Sequence, residues 1–368
     1  MFRSDYVYLV CIYPELHFKH WKYLLINACR MGIDVIIGKQ SVLFDTPVYV
    51  EQYASVVGKK EGEGPLADFF DEIIEDAMLG MNTWEEAEGR LQARAVSRLL
   101  EKSQISKDDI RYMFAGDLLG QLIATSFGLE KFNIPVFGLF GACSTMSEAI
   151  SLGAMAVSGG FAQNVIALAS SHFASAEKQF RYPLEYGSQR PLTSTWTVTG
   201  CGALILTSQI TGVKVKGITN GKIIDYGVKD SMNMGACMAP AAADLILANF
   251  KDFKVDEKYY DLIITGDLGM VGKGIIIDIL KEKGYDISSR YTDCGVEIFD
   301  SQRQNTKAGG SGCGCSAVTL CSYILDNMKA GKWKRVLFVP TGALLSTVSF
   351  NEGKSVPGIA HGVIFEVV

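Results

Sequence analysis

Apolar residues recur along the chain with two spacings, one typical of helices and the other of buried strands. Thr83 and Glu86 are spaced as a helix capping box. The apolar positions that follow fall on one helical face: Trp84, Ala87, Leu91, Ala95 and Leu99. Short apolar runs bounded by Gly, Ser or Asp predict strands buried on both faces, at 111–114, 135–139 and 165–169. Strands and helices alternate after the charged loop 58–64, so the pattern predicts a layered α/β fold.

Four landmarks occur twice in the same order, which indicates an internal duplication. They are a strand followed by Gly-Asp-Leu, a helix that opens with Cys-Ser, a buried strand, and a closing strand with glycine. The pairs are Asp117 and Asp267, Cys143 and Cys315, Val165 and Val336, and Gly202 and Gly362. The sequence therefore predicts two similar α/β halves, residues 32–212 and 213–368.

The helices that open at Cys143 and Cys315 are predicted to lie at the centre of the molecule. The first is apolar on every side, with Met146, Ala149, Ile150, Leu152 and Met155 among its residues. A helix that is apolar all round must be buried, here between two sheets. The fold class predicted is therefore α/β, as a duplicated five-layer αβαβα sandwich.

Two features of the sequence concern targeting and membrane insertion: the start of the chain and its longest uncharged stretch. Strand-like alternation begins at 33–37, so we expect Met31 to be the true start and residues 1–30 to be an extension outside the fold. The stretch 149–176 has no Asp, Glu, Lys or Arg, but Gly159, Gly160 and Asn164 interrupt it. A buried helix followed by a buried strand explains it better than a membrane span. No transmembrane segment is predicted.

Composition excludes several classes of protein. Of the 368 residues 48% are hydrophobic, which excludes intrinsic disorder, and the net charge of −5 lacks the basic footprint of a nucleic-acid binder. Nine cysteines without a dense framework indicate reduced thiols. Cys313, Cys315 and Cys321 lie close together, but without further ligands at zinc spacing they predict core packing and not a metal site.

Cys143 is the first candidate for chemistry. The stretch 137–145 is predicted as a strand, a tight turn and a helix, which places Cys143 at a helix N-terminus. Free N–H groups and the helix dipole there stabilise a thiolate, so we expect a lowered thiol pKa and a potential nucleophile. The same helix end can instead hold a ligand carboxylate, or Cys143 can simply be a small buried side chain.

The Gly-Ala-Cys-Ser-Thr elbow, the two halves and the closing Gly-x-x-x-Gly strand resemble the thiolase and β-ketoacyl synthase superfamily. Within it, the chain from about Gly38 to Val368 resembles a family of stage V sporulation proteins. The segments that carry this resemblance are 139–145, 170–172, 181–183 with 185–187, 238–244, 308–312 and 359–362.

The resemblance implies that the catalytic histidines of the superfamily are missing. Motif matching places Ser311 where thiolases have a catalytic histidine and Asp267 where synthases have theirs. His172 and His361 are the two histidines that could substitute. Because no familiar Cys-His-His or Cys-His-Asn set can be assembled, we expect a degenerate, non-catalytic protein.

What the sporulation resemblance implies is binding of dipicolinic acid, or its calcium chelate, for uptake into the spore and release at germination. A planar aromatic dianion needs a helix N-terminus, polar groups and apolar walls. The expected ligand-binding residues are Cys143, Ser170, Ser171, His172, Asp267, Ser311 and His361. No cofactor is expected, and calcium enters only as part of the ligand.

The resemblance also implies partners and a location. We expect other stage V sporulation membrane proteins as partners and, by analogy with the superfamily, a homodimer. The chain is expected at the forespore or spore inner membrane, held peripherally through those partners.

Two alternatives stay open. One is an active acyltransferase or thioesterase that uses Cys143 as nucleophile with His172 or His361 as base. The other is a scaffold that docks on membrane channel subunits and keeps only a vestigial cleft.

Overall fold

The computed structural model describes residues 35–180 and 189–368. The predicted start at Met31 and the predicted extension 1–30 lie outside the described residues, as does the resembling stretch 181–187. These predictions therefore remain predictions, and so do the bounds of the two halves.

The elements that the structure describes are numbered here in chain order. The strands are β1 (Ile36–Ile37), β2 (Ser41–Gly58), β3 (Glu72–Ile74), β4 (Tyr112–Gly116), β5 (Val136–Gly138), β6 (Asn164–Ser171), β7 (Trp196–Thr197), β8 (Gly200–Thr207), β9 (Val213–Thr219), β10 (Leu262–Thr265), β11 (Tyr291–Asp293), β12 (Gly310–Ser311), β13 (Arg335–Val339), β14 (Thr341–Ala343), β15 (Gly358–Ala360) and β16 (Gly362–Val367). The α-helices are α1 (Lys59–Gly62), α2 (Trp84–Lys102), α3 (Ile123–Leu129), α4 (Thr145–Ser158), α5 (Phe173–Phe180), α6 (Met234–Phe253), α7 (Gly269–Glu282), α8 (Cys294–Glu297), α9 (Cys313–Thr319), α10 (Leu325–Lys329) and α11 (Thr347–Asn351).

Ten strands follow one another across the large sheet in the order β11-β10-β13-β16-β9-β2-β8-β6-β4-β5. The two ends of this order repeat one pattern: β4 is parallel to both β5 and β6, and β10 is parallel to both β11 and β13. The next strand inward is antiparallel on both sides, β8 beside β6 and β16 beside β13. The 18-residue β2 pairs with both β8 and β9, so it joins the two parts.

Alternation along the strands builds the layers. Ile166 and Leu168 of β6 pack outward against α2, whereas Val165 and Ala167 face the central helices α4 and α9. In the other part, Ile263 and Leu337 pack outward with α6 and α7, whereas Phe338 faces the centre. The order from one side to the other is helix, sheet, helix, sheet, helix, which confirms the predicted five-layer αβαβα fold. The two sheet layers differ from the expectation only in being joined through β2 and β9.

Of two local predictions, the capping box is confirmed and the loop 58–64 is wrong in part. The capping box of α2 is present, with Thr83 Oγ1 accepting from the Glu86 N–H and the Glu86 carboxylate accepting from the Thr83 N–H. The predicted loop 58–64 is wrong in part, because residues 59–62 form helix α1. Glu61 explains the difference: it is buried, and its carboxylate accepts from the Thr199 N–H at 3.0 Å, which pins this segment to the core.

The uncharged stretch 149–176 forms the larger part of α4, strand β6 and the start of α5. Across residues 35–180 and 189–368, the helices lack the combination of length and apolarity that crossing a bilayer requires.

Candidate functional site

A small cleft lies where β4, β5, β10 and β13 end. The residues that line it are Leu118, Phe140, Ala142, Cys143, Ala176, Phe180, Thr197, Met234, Ser311, Gly312, Ala343 and Leu345. All twelve are uncharged, and most are apolar. The cavity volume is about 40 Å³, which is room for about three water molecules. An aromatic ligand therefore fits only when the walls move apart.

Cys143 reaches the cleft because the chain makes a tight turn before α4. Ala142 has φ 49°, in the left-handed region, and residues 142–144 form one 3₁₀ turn. The Ser144 hydroxyl donates to the Gly141 carbonyl at 2.7 Å, and the Thr145 hydroxyl donates to the Ala142 carbonyl at 2.7 Å. A Cβ on Gly342 of β14 would lie 2.4 Å from the Gly141 carbonyl oxygen, so the close approach of β14 to this turn needs glycine at 342.

Asp267 lies beneath Cys143 and joins three loops. Its carboxylate accepts from the Cys143 thiol, from the Gly312 N–H at 2.9 Å and from the Thr341 hydroxyl at 3.0 Å. Burial raises the pKa of Asp267 to about 7, although these hydrogen bonds act in the opposite direction. The carboxyl is therefore divided between its neutral and charged forms near neutral pH.

The expected lowered pKa of Cys143 is wrong. The pKa of the thiol is raised well above its ordinary value, first by burial and then by the neighbouring Asp267 carboxylate. Both effects disfavour the thiolate and outweigh the helix N-terminus, which alone was visible in the sequence. The thiol is thus protonated at neutral pH, and Asp267 is too weak a base to ionise it.

Ser311 lines the cleft as predicted, whereas Ser170 and Ser171 lie behind it. The Ser171 hydroxyl donates to the Val198 carbonyl at 2.7 Å and accepts from the Gly314 N–H at 3.1 Å, which supports the start of α9. The Ser170 hydroxyl donates to the buried Glu88 carboxylate at 2.9 Å. Neither hydroxyl is among the groups that line the cleft.

His172 lies away from the cleft, against the prediction. Its Nε2 is 2.8 Å from the Ala77 carbonyl oxygen, and its Nδ1 accepts from the Ala174 N–H at 3.2 Å. These bonds specify a neutral ring, and burial lowers its pKa further. The imidazole lines a separate groove with Trp84, and the two ring centroids are 5.4 Å apart.

His361 is also outside the cleft. It lies between β15 and β16, and its Nδ1 accepts from the Gly221 N–H at a long 3.4 Å. Burial lowers the pKa of its imidazole to about 4. Of the seven predicted residues, the structure therefore brings together Cys143, Asp267 and Ser311, and neither His172 nor His361 lines the cleft around them.

The apolar residues that form the walls of the cleft were not predicted from the sequence. Leu118, Phe140, Phe180, Met234 and Leu345 give the cleft its shape. The one available signal was position, because Leu118 directly follows the repeated Asp117 and Phe140 precedes the elbow. Within the described parts of the chain, no three His, Cys, Asp or Glu side chains converge as a metal site requires.

Comparison with known proteins supports the sporulation resemblance. Residues 38–366 match the family model described as Stage V sporulation protein AD. The curated Stage V sporulation protein AD of Bacillus subtilis (strain 168) is 44% identical over 331 residues, which span 90% of this chain and 98% of that protein.

Solved structures with the same fold are more distant in sequence. The 3-oxoacyl-acyl-carrier-protein synthase III of Aquifex aeolicus VF5 is 12% identical, with a TM-score of 0.52, and the match covers 87% of this chain and 99% of that one. The Acat5 thiolase of Ascaris suum, solved with coenzyme A, is 11% identical, with a TM-score of 0.54 over 88% and 100% of the two chains. At this identity the likeness establishes the thiolase fold alone.

Proposed function

The chain belongs to the Stage V sporulation protein AD family, and from that premise we propose that it is a non-catalytic protein that binds dipicolinic acid as its calcium chelate. The binding serves uptake of the acid into the developing spore and its release at germination. The cleft above Cys143 is the binding site.

The observation that carries the non-catalytic part is the pairing of Cys143 with Asp267. A cysteine nucleophile needs a base that takes its proton or a nearby cation that stabilises the thiolate. Among the described residues, the titratable groups that act on this thiol are the Asp267 carboxylate and the Cys313 thiol, and both disfavour the thiolate. The imidazoles of His172 and His361 are neutral and face other parts of the molecule.

The charge of the cleft favours the chelate over the free acid. Dipicolinate is a dianion at neutral pH, whereas its one-to-one chelate with Ca²⁺ has no net charge. Since the twelve lining residues are uncharged and Asp267 lies beneath them, a bare dianion meets no cation among the residues that the structure describes and is repelled by that carboxylate. The neutral chelate meets apolar walls together with Ser311 and Thr197 as polar partners, and calcium accepts further oxygen ligands.

Calorimetric titration of the full chain with dipicolinate, with and without calcium, tests this function. We expect saturable one-to-one binding that is at least tenfold tighter with calcium. Cys143→Leu, which fills the cleft floor, should abolish it, and His172→Ala should serve as a matched control that binds normally. Absence of binding in both conditions overturns the proposal. A stable adduct on Cys143 after incubation with an acyl-thioester overturns its non-catalytic part.

The expected homodimer is proposed to form through β5. This strand ends the large sheet and pairs only with β4 among the strands described, so its outer N–H and C=O groups are available. Phe127, Phe137 and Phe140 beside it are 60%, 50% and 49% exposed. Light scattering should give twice the chain mass, and Phe137→Lys should give a monomer. A monomeric unmodified chain contradicts this part.

The association with other stage V sporulation membrane proteins at the forespore or spore inner membrane is likewise proposed. Fractionation of sporulating cells tests it: we expect the protein in the membrane fraction while those partners are present and in the soluble fraction when they are deleted. If Cys143→Leu abolishes calcium dipicolinate binding but leaves spore dipicolinate content unchanged, the scaffold alternative replaces the binding role.

A further inference from the structure

The walls of the closed cleft are backed by two buried acids. Leu118 forms one wall and directly follows Asp117. Ala176 and Phe180 of α5 form another wall, and the hydroxyl of Ser175, directly before Ala176, donates to the Glu88 carboxylate. Asp117 and Glu88 are both fully buried. A change in the electrostatic repulsion between Asp117 and Glu88 therefore acts on both walls.

An unbroken chain of hydrogen bonds joins the two carboxyl groups. The Thr125 hydroxyl donates to Asp117 Oδ2 at 2.6 Å, and Gln92 Nε2 donates to Thr125 Oγ1 at 3.0 Å. The same amide donates to Ser170 Oγ at 2.8 Å, and Ser170 Oγ donates to Glu88 Oε1 at 2.9 Å. At the far end, the Ser175 hydroxyl is 2.5 Å from Glu88 Oε2. These hydrogen bonds therefore connect the Leu118 loop to α5.

Acceptors outnumber donors in this series of hydrogen bonds. Gln92 donates in two directions while its own Oε1 is buried without a hydrogen-bond partner. The two carboxylates accept at both ends. A buried network that is short of donors favours one additional proton, because each unpaired buried acceptor is costly.

We propose that Glu88, Ser170, Gln92, Thr125 and Asp117 form a proton-controlled latch that keeps the cleft closed when one proton is held and lets its walls part when that proton leaves. This regulation acts on the site of the proposed function and rests on it for its biological meaning. The structural claim, that loss of a proton loosens the Leu118 loop and α5, stands without any ligand.

Both protonation states satisfy the local geometry. When Glu88 is protonated, its O–H donates to Ser175 Oγ, and the Ser175 hydroxyl turns to the His172 carbonyl oxygen, 3.0 Å away. When the proton passes to solvent, Ser175 donates to the carboxylate instead. The difference between the states is then the repulsion between two buried negative charges, one behind each wall.

The surroundings place this change at mildly alkaline pH. Burial, followed by the Asp117 charge, raises the pKa of Glu88 to about 8, and burial raises the pKa of Asp117 as well. Glu85 on the same helix adds a further negative charge and is itself paired with Lys178 of α5. The buried thiols of Cys201 and Cys313 also face Glu88, and burial raises the pKa of both, so they stay neutral in this range.

Hydrogen–deuterium exchange of the full chain without ligand tests the latch. After correction for the intrinsic pH dependence of exchange, we expect the 117–125 loop and α5 to exchange at least fivefold faster at pH 9 than at pH 7. Glu88→Gln should remove this difference, and Asp117→Asn should do so independently, in case one variant misfolds. Glu61→Gln is the matched control, because it removes another buried acid of pKa about 7 that lies outside this chain.

Two results overturn the latch: equal protection of these segments at both pH values in the unmodified chain, or the same pH response in Glu88→Gln and Asp117→Asn as in the unmodified chain. The calorimetric titration is read separately. A pH response in exchange without dipicolinate binding retains the latch and rejects the proposed ligand, whereas binding without that response retains the ligand and rejects the latch.

Discussion

Asp117 and Asp267 occupy matching positions in the two parts of the molecule, but their carboxylates accept hydrogen bonds from different groups. Each follows a parallel strand, β4 or β10, in the same Gly-Asp-Leu sequence. Asp117 accepts from its own loop, from the Leu119 N–H at 2.8 Å and the Thr125 N–H at 2.8 Å. Asp267 instead reaches across to Gly312, Thr341 and Cys143.

In the second part, another acid accepts the hydrogen bonds of the loop that follows β10. Asp293 of β11 accepts from the Leu268 N–H at 2.9 Å and the Gly269 N–H at 2.9 Å. Gly269 follows Asp267 by two residues as Leu119 follows Asp117, so one of these bonds replaces a bond that Asp117 makes for its own loop. Asp267 is thereby available for the cleft. A repeated backbone thus preserves the positions of these acids, while the loops around each position determine which groups the side chain contacts.

The largest effect expected from this comparison is on stability. Asp117→Ala leaves the Leu119 and Thr125 N–H groups buried without an acceptor, so we expect a loss of about 3 kcal/mol in the free energy of unfolding. Asp267→Ala should cost about half as much, because it leaves one backbone N–H, that of Gly312, without an acceptor. Urea unfolding of both variants measures the difference. Equal losses would show that the two acids are equivalent after all.

The next effect is on thiol reactivity. Asp267→Asn removes the carboxylate beside Cys143, so the thiol pKa should fall and alkylation by iodoacetamide at pH 8 should accelerate about tenfold, which corresponds to one pKa unit. Glu61→Gln, which removes a buried acid away from this cleft, should leave the rate unchanged. Mass spectrometry of the modified peptide follows both rates. Rapid alkylation of Cys143 in the unmodified chain would contradict the raised pKa.

A smaller effect concerns pH and stability. The pKa of Asp267 is raised in the folded state to about 7, so the folded protein holds a proton that the unfolded chain releases above about pH 4. The stability contributed by that proton is complete below pH 4 and is lost as pH rises to 7. Between these values the Tm of Asp267→Asn should fall about 3 °C less than that of the unmodified chain. Parallel Tm curves would place the proton elsewhere.

The smallest effect separates the two helix-opening cysteines. Cys315 is fully buried with its thiol 3.6 Å from the Gly266 carbonyl oxygen, whereas Cys143 borders the cleft. We expect Cys315→Ala to lower the free energy of unfolding by about 1 kcal/mol and Cys143→Ala by less than about 0.5 kcal/mol. Chemical denaturation resolves this difference, and a larger loss at Cys143 would contradict it.

The sequence predicted the layers well because apolar periodicity and duplication reflect burial directly. The resemblance grouped Cys143, Asp267 and Ser311 as ligand-binding residues, and the structure brings these three together. The structure places His172 and His361 outside the cleft, because a position near a strand end does not reveal which way the side chain turns. Leu118 and Phe180 were missed for a different reason: in a sequence, an apolar residue that lines a cleft has the same pattern as one in the core.

A crystal structure of the full chain grown with calcium and dipicolinate tests the central claim most directly. We expect the aromatic ring between Leu118 and Phe180, above Cys143, with anomalous signal for calcium in the same cleft and the two walls moved apart. Ligand density in the groove of His172 and Trp84 with the Cys143 cleft still closed would contradict it.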